Sequence, residues 1–315
     1  MSKKITVIGA GSVGATITYT LSVMGVADEI VMIDINETKV LGEALDIRQG
    51  LPFCGTRSVY AGGYAEAENS DMVIITSGLP RKAGQTRLEL AQVNVDILKG
   101  IMPRITKYAP DAIYLLVANP VDILTYTFVK YSGIPEHRVF GSGTMLDSVR
   151  LRARLAEYYD IDAKYITAYA LGEHGDSMFV PWSIMSLNGI GTKLYEQKCR
   201  EEGSMMPAID RAEIEKYVRT SGGRVIARKG ATYYAVSMSV AHMCRCVLEN
   251  FGTVLPVSVM MHGEHGVSDV CLSYPTMLNC NGVYAKIPTP LSPEEEELLR
   301  HSADALKSVI SGLAF

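Results

Sequence analysis

The stretch Ile5-Thr6-Val7-Ile8-Gly9-Ala10-Gly11-Ser12-Val13-Gly14 leads a short apolar run into three spaced glycines. The run predicts a buried β-strand, and the residues from Val13 to about Met24 predict the helix that follows it. A second apolar run, Glu29–Ile33, ends beside Asp34. A strand, a glycine turn, a helix and a second strand together predict a βαβ unit within a parallel sheet.

The three glycines of this turn suit the binding of a phosphate group. Gly9 permits a tight turn, Gly11 lets a pyrophosphate approach the backbone, and Gly14 lets the helix and strand pack closely. The helix N-terminus, at Ser12 and Val13, supplies N–H donors and a partial positive charge. A glycine turn of this kind with no ligand is the alternative interpretation.

Asp34 favours the interpretation of the turn as a dinucleotide site. It lies 20 residues after Gly14, at the end of the second predicted strand. A carboxylate at this position can bind both ribose hydroxyls. Because the same charge would repel a 2′-phosphate, we expect NAD rather than NADP as the cofactor.

The first half of the chain continues this alternation of strands and helices. Further strands are predicted at Met72–Thr76, Ala112–Ala118 and Arg138–Phe140, and further helices at Glu37–Ile47, Leu88–Tyr108 and Pro120–Tyr131. Strands that are apolar throughout are typical of a parallel sheet covered by helices on both faces. We therefore predict a doubly wound parallel sheet of the Rossmann type over residues 1–142, with NAD bound to it.

The second half has a different pattern, and we predict a C-terminal α+β substrate domain over residues 143–315. Helices are predicted at Leu146–Tyr159, Ala212–Ala227, Thr232–Phe251 and Pro293–Ser311, extended segments at Ile166–Leu171 and Val180–Leu187, and an antiparallel meander at Val254–Met261, Val270–Tyr274 and Gly282–Ala285. The region 198–210 is polar and is predicted to be irregular. The whole chain is thus predicted to be α/β.

The composition excludes several classes of protein. Of the 315 residues 48% are hydrophobic and 20% are charged, which is a globular balance. A formal net charge of −4 with no basic block argues against nucleic acid or a membrane as the main partner. The 6 cysteines form no C-x-x-C pair and no secretory signal pattern opens the chain, so we expect a cytoplasmic location. His262 and His265 have a ligand-like spacing, but the glycines around them favour a hairpin, and we expect no metal.

A histidine between two glycines marks the second half of the chain. It is His174, in the segment Leu171-Gly172-Glu173-His174-Gly175-Asp176-Ser177. Asp147 and Arg150 lie upstream at positions i and i+3 of a predicted helix, so they share one face. Each feature also has a structural interpretation when it is taken singly. An isolated histidine is typical of a surface or core residue, and an Asp–Arg pair at this spacing is typical of a salt bridge on a helix face.

Together, these three side chains suit hydride transfer between a nicotinamide and an alcohol carbon. A histidine, with an ordinary pKa near ~6.5, can move the hydroxyl proton. A carboxylate on its second ring nitrogen would fix the tautomer and stabilise the imidazolium. A guanidinium can hold a substrate carboxylate through two parallel hydrogen bonds.

The segment from Gly78 to Arg87 carries three cations and a second glycine, Gly84. This composition suits a mobile loop that closes over an anion, expels water and brings Arg87 to polarise a carbonyl oxygen. An exposed basic loop without a ligand is the alternative interpretation.

Five motifs in this order resemble those of the NAD-dependent L-lactate and L-malate dehydrogenases, over essentially the whole chain. They are Gly9–Gly14 with Asp34, Gly78–Arg87, Asn119-Pro120-Val121-Asp122, Gly141-Ser142-Gly143-Thr144 with Leu146, Asp147 and Arg150, and Gly172–Asp176. A non-catalytic NAD-binding protein on the same fold is the competing class, and it would be expected to lack one of His174, Asp147 and Arg150. A third possibility, an NAD-dependent glycosidase, would need metal ligands, and the sequence offers no good set of them.

The resemblance implies a role for each matching residue. The catalytic residues would be His174 as acid and base, Asp147 as its partner, and Arg87, which polarises the carbonyl. The substrate would be bound by Arg81, Arg87, Asn119, Arg150 and Thr232. The NAD-binding set would comprise Gly9, Gly11, Ser12, Val13, Gly14, Asp34, Thr76, Gly78, Asn119 and Ser142.

The residues that distinguish lactate enzymes from malate enzymes point in different directions in this chain. Arg81 occupies the specificity position, where malate enzymes carry an arginine that pairs with the second carboxylate of oxaloacetate. Leu88-Glu89-Leu90, Glu173 and Thr232 are instead similar to lactate enzymes, and Thr232 would narrow the pocket. We therefore expect an L-lactate dehydrogenase that reversibly reduces pyruvate, with an L-malate dehydrogenase as the alternative.

The resemblance also carries expectations about partners. A small 2-oxo or 2-hydroxy acid is the expected substrate, and a homotetramer the expected assembly, with a dimer as the alternative. Many bacterial lactate enzymes bind fructose 1,6-bisphosphate through an arginine and a histidine. Arg152 matches the arginine, but Thr167 replaces the histidine, so we expect weak or absent activation.

The Arg81→Gln variant is expected to raise kcat/KM for pyruvate relative to oxaloacetate. A guanidinium that faces the pyruvate methyl would lack its partner, whereas the neutral amide would not. Steady-state NADH oxidation with each 2-oxo acid gives the ratio. An unchanged or reversed ratio would show that Arg81 does not face the substrate.

Overall fold

The computed structural model describes residues 2–80, 84–203 and 209–315. The strands are β1 (Lys4–Ile8), β2 (Glu29–Ile33), β3 (Ser58–Ala61), β4 (Met72–Ile75), β5 (Ile113–Leu116), β6 (Val139–Gly141), β7 (Ile166–Thr167), β8 (Ser186–Leu187), β9 (Ile190–Gly191), β10 (Thr253–Glu264), β11 (Val267–Asn279) and β12 (Gly282–Lys286). The helices are α1 (Ser12–Met24), α2 (Glu37–Gly50), α3 (Arg87–Tyr108), α4 (Val121–Tyr131), α5 (Met145–Tyr159), α6 (Thr192–Glu201), α7 (Arg211–Lys229), α8 (Tyr234–Leu248) and α9 (Pro293–Ile310).

The first six strands form a parallel sheet in the order β3-β2-β1-β4-β5-β6. The side chains of β4 and β5 are buried on both faces, which explains why these strands are apolar throughout. The order reverses between β1 and β4, and ligands of doubly wound sheets bind at the carboxyl ends of the strands beside such a point. The predicted doubly wound α/β sheet is confirmed.

The antiparallel meander of the second half continues the parallel sheet, which the sequence did not predict. Strands β10, β11 and β12 are antiparallel, and β10 pairs with β6 through Ser258 and Gly141. A Cβ at Gly141 would lie 3.0 Å from the Cβ of Ser258, so a glycine permits this close approach. Residues His262–Gly266 form the tip of the β10–β11 hairpin, as predicted.

One strand was missed, and two predictions of secondary structure were wrong in part. Strand β3 was missed because it is a four-residue edge strand with one fully buried side chain, Val59. The predicted extended segment 166–171 holds the two-residue strand β7 and a β-bridge from Leu171 to Phe179, and the segment 180–187 holds the two-residue strand β8, with a 3₁₀ turn at Trp182–Ile184. The region 198–210 is helical up to Glu201, because α6 is a polar helix that buries only Thr192. Residues 204–208 lie outside the described part of the chain.

Helix α5 is held between two apolar clusters. Met145, at its first turn, packs in the cluster around the large sheet. Leu151 and Leu155 pack in a second cluster with Val218 of α7. Burial on both sides fixes the position of α5 and of the polar side chains that it carries. In the described ranges, every helix is too short or too polar to span a bilayer.

Candidate active site

The glycine turn lies between β1 and α1, at the reversal of strand order. Gly9 has φ +104°, and a Cβ at Gly14 would lie 1.8 Å from the carbonyl oxygen of Gly9, so both positions require glycine. At Gly11, by contrast, a Cβ would meet no atom within 4 Å. Gly11 is the N-cap of α1 and provides no side-chain cap, so the first N–H groups of the helix face an open space that suits a phosphate.

Asp34 is attached to this turn. Its Oδ2 accepts a hydrogen bond from the N–H of Ala10 at 2.6 Å, and its Oδ1 accepts one from the N–H of Asn36 at 2.8 Å. The side chain is partly exposed, so its carboxylate oxygens can also accept from ribose hydroxyls. The structure thus brings the glycine turn and Asp34 together, and these residues fit a dinucleotide.

Thr76 and Gly78 extend this site along the carboxyl end of β4. The Thr76 hydroxyl donates to the carbonyl oxygen of Gly9 at 3.0 Å. The buried side chain of Asn94 accepts from the N–H of Leu79 at 2.7 Å and donates to the carbonyl oxygen of Asn119 at 2.7 Å. Asn94 therefore fixes the residues after β4 against those after β5, and the sequence analysis missed it.

Ser142 and Thr232 lie in two separate segments. Ser142 follows β6, and its N–H donates to the carbonyl oxygen of Leu116 at 2.8 Å. Thr232 is partly exposed in the segment between α7 and α8. Arg81 falls among the residues 81–83, which lie outside the described residues.

Asp147 lies between His174 and Arg150. Its Oδ2 is 2.6 Å from Nδ1 of His174, and its Oδ1 accepts from Nη1 of Arg150 at 2.9 Å. The Asp147 side chain is 6% exposed, whereas that of His174 is 28% exposed. In the described part of the chain, no residue binds Nε2 of His174 or Nη2 of Arg150. Both groups can therefore bind a ligand while one buried carboxylate holds them.

Helix α7 leaves room beside the guanidinium of Arg150. A Cβ at Gly222 would lie 3.8 Å from both Nη1 and Nη2. Any larger side chain at Gly222 would extend into the space next to these donors. A small anion can therefore approach Arg150 from the side of α7.

The charges in this cluster change the pKa of both titratable partners. Burial lowers the pKa of His174, but the Asp147 carboxylate, together with Asp122, raises it to about 9. Burial raises the pKa of Asp147, but His174 and Arg150 together hold it below its usual value. The site therefore favours an imidazolium beside a carboxylate near neutral pH.

Arg87 is paired with the two acidic residues that flank His174 in sequence. Its Nη1 donates to Oε1 of Glu173 at 3.2 Å, and its Nη2 donates to Oδ2 of Asp176. The Arg87 side chain is 43% exposed at the first residue of α3. The structure thus brings Arg87 to the histidine loop, on partners that sequence reasoning did not identify.

A second carboxylate, that of Asp122, contacts the main chain of His174. The N–H of His174 donates to Oδ2 of Asp122 at 2.7 Å. Asp122 lies three residues after Asn119, in the first turn of α4, so this bond places the histidine loop beside the carboxyl end of β5. The histidine and the proposed dinucleotide turn therefore lie along the same edge of the sheet.

Two family models match the chain. Residues 3–141 match the lactate/malate dehydrogenase NAD-binding domain, and residues 144–314 match the lactate/malate dehydrogenase alpha/beta C-terminal domain. Together these matches cover nearly all of the described residues.

Curated relatives and solved structures are similar over the same length. The chain is 42% identical over 311 residues to the L-lactate dehydrogenase of Acetivibrio thermocellus, covering 99% of this chain and 97% of that protein. It is 43% identical over 310 residues to that of Thermoanaerobacterium saccharolyticum, covering 98% and 99%. The crystal structure of the ligand-bound minor L-lactate dehydrogenase from Enterococcus mundtii has a TM-score of 0.93 at 36% identity, covering 99% of this chain and 98% of that one.

The Gly11→Ala variant is expected to fold normally and to bind NADH at least about tenfold more weakly. A methyl group at Gly11 meets no protein atom within 4 Å, so it should occupy only the space assigned to the cofactor. Fluorescence titration with NADH gives the affinity, and thermal unfolding gives the stability. Gly42→Ala, at an exposed position of α2 that is also open, is the matched control. An unchanged NADH affinity in Gly11→Ala would contradict the assignment.

Proposed function

The chain belongs to the lactate/malate dehydrogenase family, and from that membership we propose that it reversibly reduces pyruvate to L-lactate with NADH. It is an NAD-dependent 2-hydroxy-acid dehydrogenase by family. The observation that carries the proposal is the buried Asp147 carboxylate, which holds the proton-transfer group His174 and the anion-binding group Arg150 at the same time. A 2-oxo acid presents the two groups that such a pair can bind, a carbonyl oxygen and a carboxylate.

Arg150 and His174 orient the substrate in this proposal. Arg150 holds the pyruvate carboxylate through the guanidinium face that Asp147 does not occupy. Nε2 of His174, protonated, donates a hydrogen bond to the carbonyl oxygen. Asp147 fixes the Nδ1–H tautomer, so that Nε2 is the nitrogen that faces the substrate.

The proton and the hydride arrive from different groups. NADH, when bound, supplies a hydride to the carbonyl carbon. Nε2 of His174 gives its proton to the carbonyl oxygen and leaves a neutral imidazole, which a proton from the solvent converts back to the imidazolium. In the oxidation of lactate the same nitrogen accepts the hydroxyl proton. Asp147 stays ionised and stabilises the imidazolium.

Arg87 has a proposed role that requires it to change partners. We place it on the carbonyl oxygen of the substrate, where it would stabilise the developing negative charge. Its pairing with Glu173 and Asp176 keeps the guanidinium near His174 before closure. Movement of the loop before α3 would bring it inward, and Gly84, with φ +79°, lies in that loop.

The cofactor and remaining substrate contacts are proposed from the same geometry. Gly9, Gly11, Ser12, Val13 and Gly14 would bind the pyrophosphate, Asp34 the ribose, and Thr76, Gly78, Asn119 and Ser142 the rest of the dinucleotide. Asn119 would also contact the substrate, and Thr232 would line the pocket for its methyl group. Support comes from the positions of the first six residues around one open helix N-terminus.

The relatives favour lactate over malate. The similar proteins reported above are L-lactate dehydrogenases, and the malate alternative rests on Arg81 at the specificity position. We therefore propose that Arg81 does not restrict the enzyme to a dicarboxylate. The Arg81→Gln comparison tests this.

Domain division, assembly and location are proposed as well. We assign residues 1–142 to cofactor binding and 143–315 to substrate binding, which the family-model matches support. A homotetramer, with a dimer as the alternative, is supported by the exposed apolar side chains of Tyr19 and Val23 on α1 and of Tyr234 and Met238 on α8. A cytoplasmic location is supported by cysteines that are all free.

The purified protein is expected to oxidise NADH with pyruvate at a higher kcat/KM than with oxaloacetate or longer 2-oxo acids. His174→Gln is expected to lower kcat for pyruvate by about 10²–10⁴-fold, because the amide cannot transfer the proton. His301→Gln, at an exposed position of α9, is the matched control and should retain full activity. Absence of turnover with every 2-oxo acid, or full activity in His174→Gln, would contradict the proposed function.

A further inference from the structure

Asp122 joins three elements around the histidine loop. It lies in the first turn of α4 and is 2% exposed. Its Oδ2 accepts from the N–H of His174 at 2.7 Å, and its Oδ1 accepts from the hydroxyl of Ser258 at 2.6 Å. Ser258 is fully buried in β10, at the position that pairs with β6. One carboxylate thus connects α4, the sheet and the loop that carries His174.

This carboxylate is costly to bury. Among the described residues, no lysine or arginine lies within 4.0 Å of it to form an ion pair. Burial raises the pKa of Asp122 to about 6, although Ser258 and the N–H of His174 both stabilise the charged form. An uncharged side chain could make similar contacts without the loss of hydration. A charge kept here at the expense of stability is therefore a candidate for a role in chemistry.

We propose that Asp122 is a positioning residue for His174: it holds the histidine loop at the carboxyl end of β5, and its negative charge favours the protonated imidazole. The inference rests on the proposed function, in which His174 is the acid and base. Asp147 contacts the imidazole ring directly, whereas Asp122 acts through the main chain and through its electric field.

The other charges around His174 define what Asp122 adds. Helix α5 contributes Asp147, which raises the pKa of His174, and Arg150, which lowers it. Asp122, from α4, raises it further. Glu173, next to the histidine, opposes ionisation of Asp122, and Cys271 of β11 stays neutral because burial raises its pKa. Above about pH 6 Asp122 is charged, so its effect on His174 is present across the neutral range.

The Asp122→Asn variant separates the charge from the shape. Its amide oxygen can accept from the N–H of His174, and its amide nitrogen can donate to the Ser258 hydroxyl. Pyruvate reduction needs protonated His174, so activity falls as the pH rises through the pKa of this residue. We expect the midpoint of that fall to move to lower pH by about one unit.

Two further measurements make the test specific. An NMR titration of the His174 imidazole, assigned by its loss in His174→Gln, should show the same downward shift without any turnover. Ser258→Ala removes one hydrogen bond but keeps the carboxylate, so its midpoint should stay close to that of the wild type. A residue with only a structural role would shift neither the pH profile nor the titration.

The thermal stability of the Asp122→Asn variant is an independent test of the role of Asp122. The pKa of Asp122 is higher in the folded protein than in the unfolded chain. The free energy of unfolding therefore falls as the pH rises from the unfolded-state pKa through about 6. The amide side chain of the Asp122→Asn variant does not ionise, so the variant does not lose stability in this way. Its Tm at pH 8 should be no lower than that of the wild type. A merely structural Asp122 would give a lower Tm instead.

The outcomes separate this inference from the proposed function. A folded Asp122→Asn variant with an unchanged His174 titration would overturn the inference, even if the wild type reduces pyruvate. A wild type that reduces no 2-oxo acid would contradict the proposed function, while the NMR titration would still decide the role of Asp122.

Discussion

The candidate active site depends on one buried carboxylate, Asp147, that binds two cationic groups with its two oxygens. The His174 imidazole and the Arg150 guanidinium are held 2.6 and 2.9 Å from it. A single carboxylate therefore sets the separation between the proton donor and the anion-binding group. Helix α5 can provide this group only because two apolar clusters fix the helix on both sides. The geometry of the site therefore depends on the packing of α5.

Carboxylates contact each of the cationic residues that the structure describes at the site. Two carboxylates, Asp147 and Asp122, act on His174, one at its ring and one at its main chain. Two more, Glu173 and Asp176, hold Arg87. The carboxylates therefore hold cationic groups close to the place of an anionic substrate, and they raise the pKa of His174. The stability lost by burying Asp122 is consistent with the general conflict between function and stability at active sites.

Local features of the fold and site could be predicted from the sequence, and long-range ones could not. The glycine turn, Asp34, and the Asp147–Arg150 spacing on one helix are set by neighbours in sequence, so their patterns are visible there. The edge strand β3 and the polar helix α6 bury too few apolar side chains to give a pattern. The pairing of β10 with β6 and the contact of Asp122 with the His174 main chain join residues far apart in sequence. A hydrogen bond to a backbone N–H does not depend on the residue type of its donor, so the identity of residue 174 does not indicate the contact with Asp122.

The pH dependence of kcat/KM for pyruvate reduction in Asp147→Asn, compared with the wild type, shows whether Asp147 sets the protonation of His174. In the wild type the activity should fall as the pH rises through the His174 pKa, which Asp147 raises to about 9. The variant lacks the carboxylate that raises this pKa, so its midpoint should lie at clearly lower pH and its maximal rate should be reduced. A variant with the midpoint and rate of the wild type would contradict the claim that Asp147 governs His174.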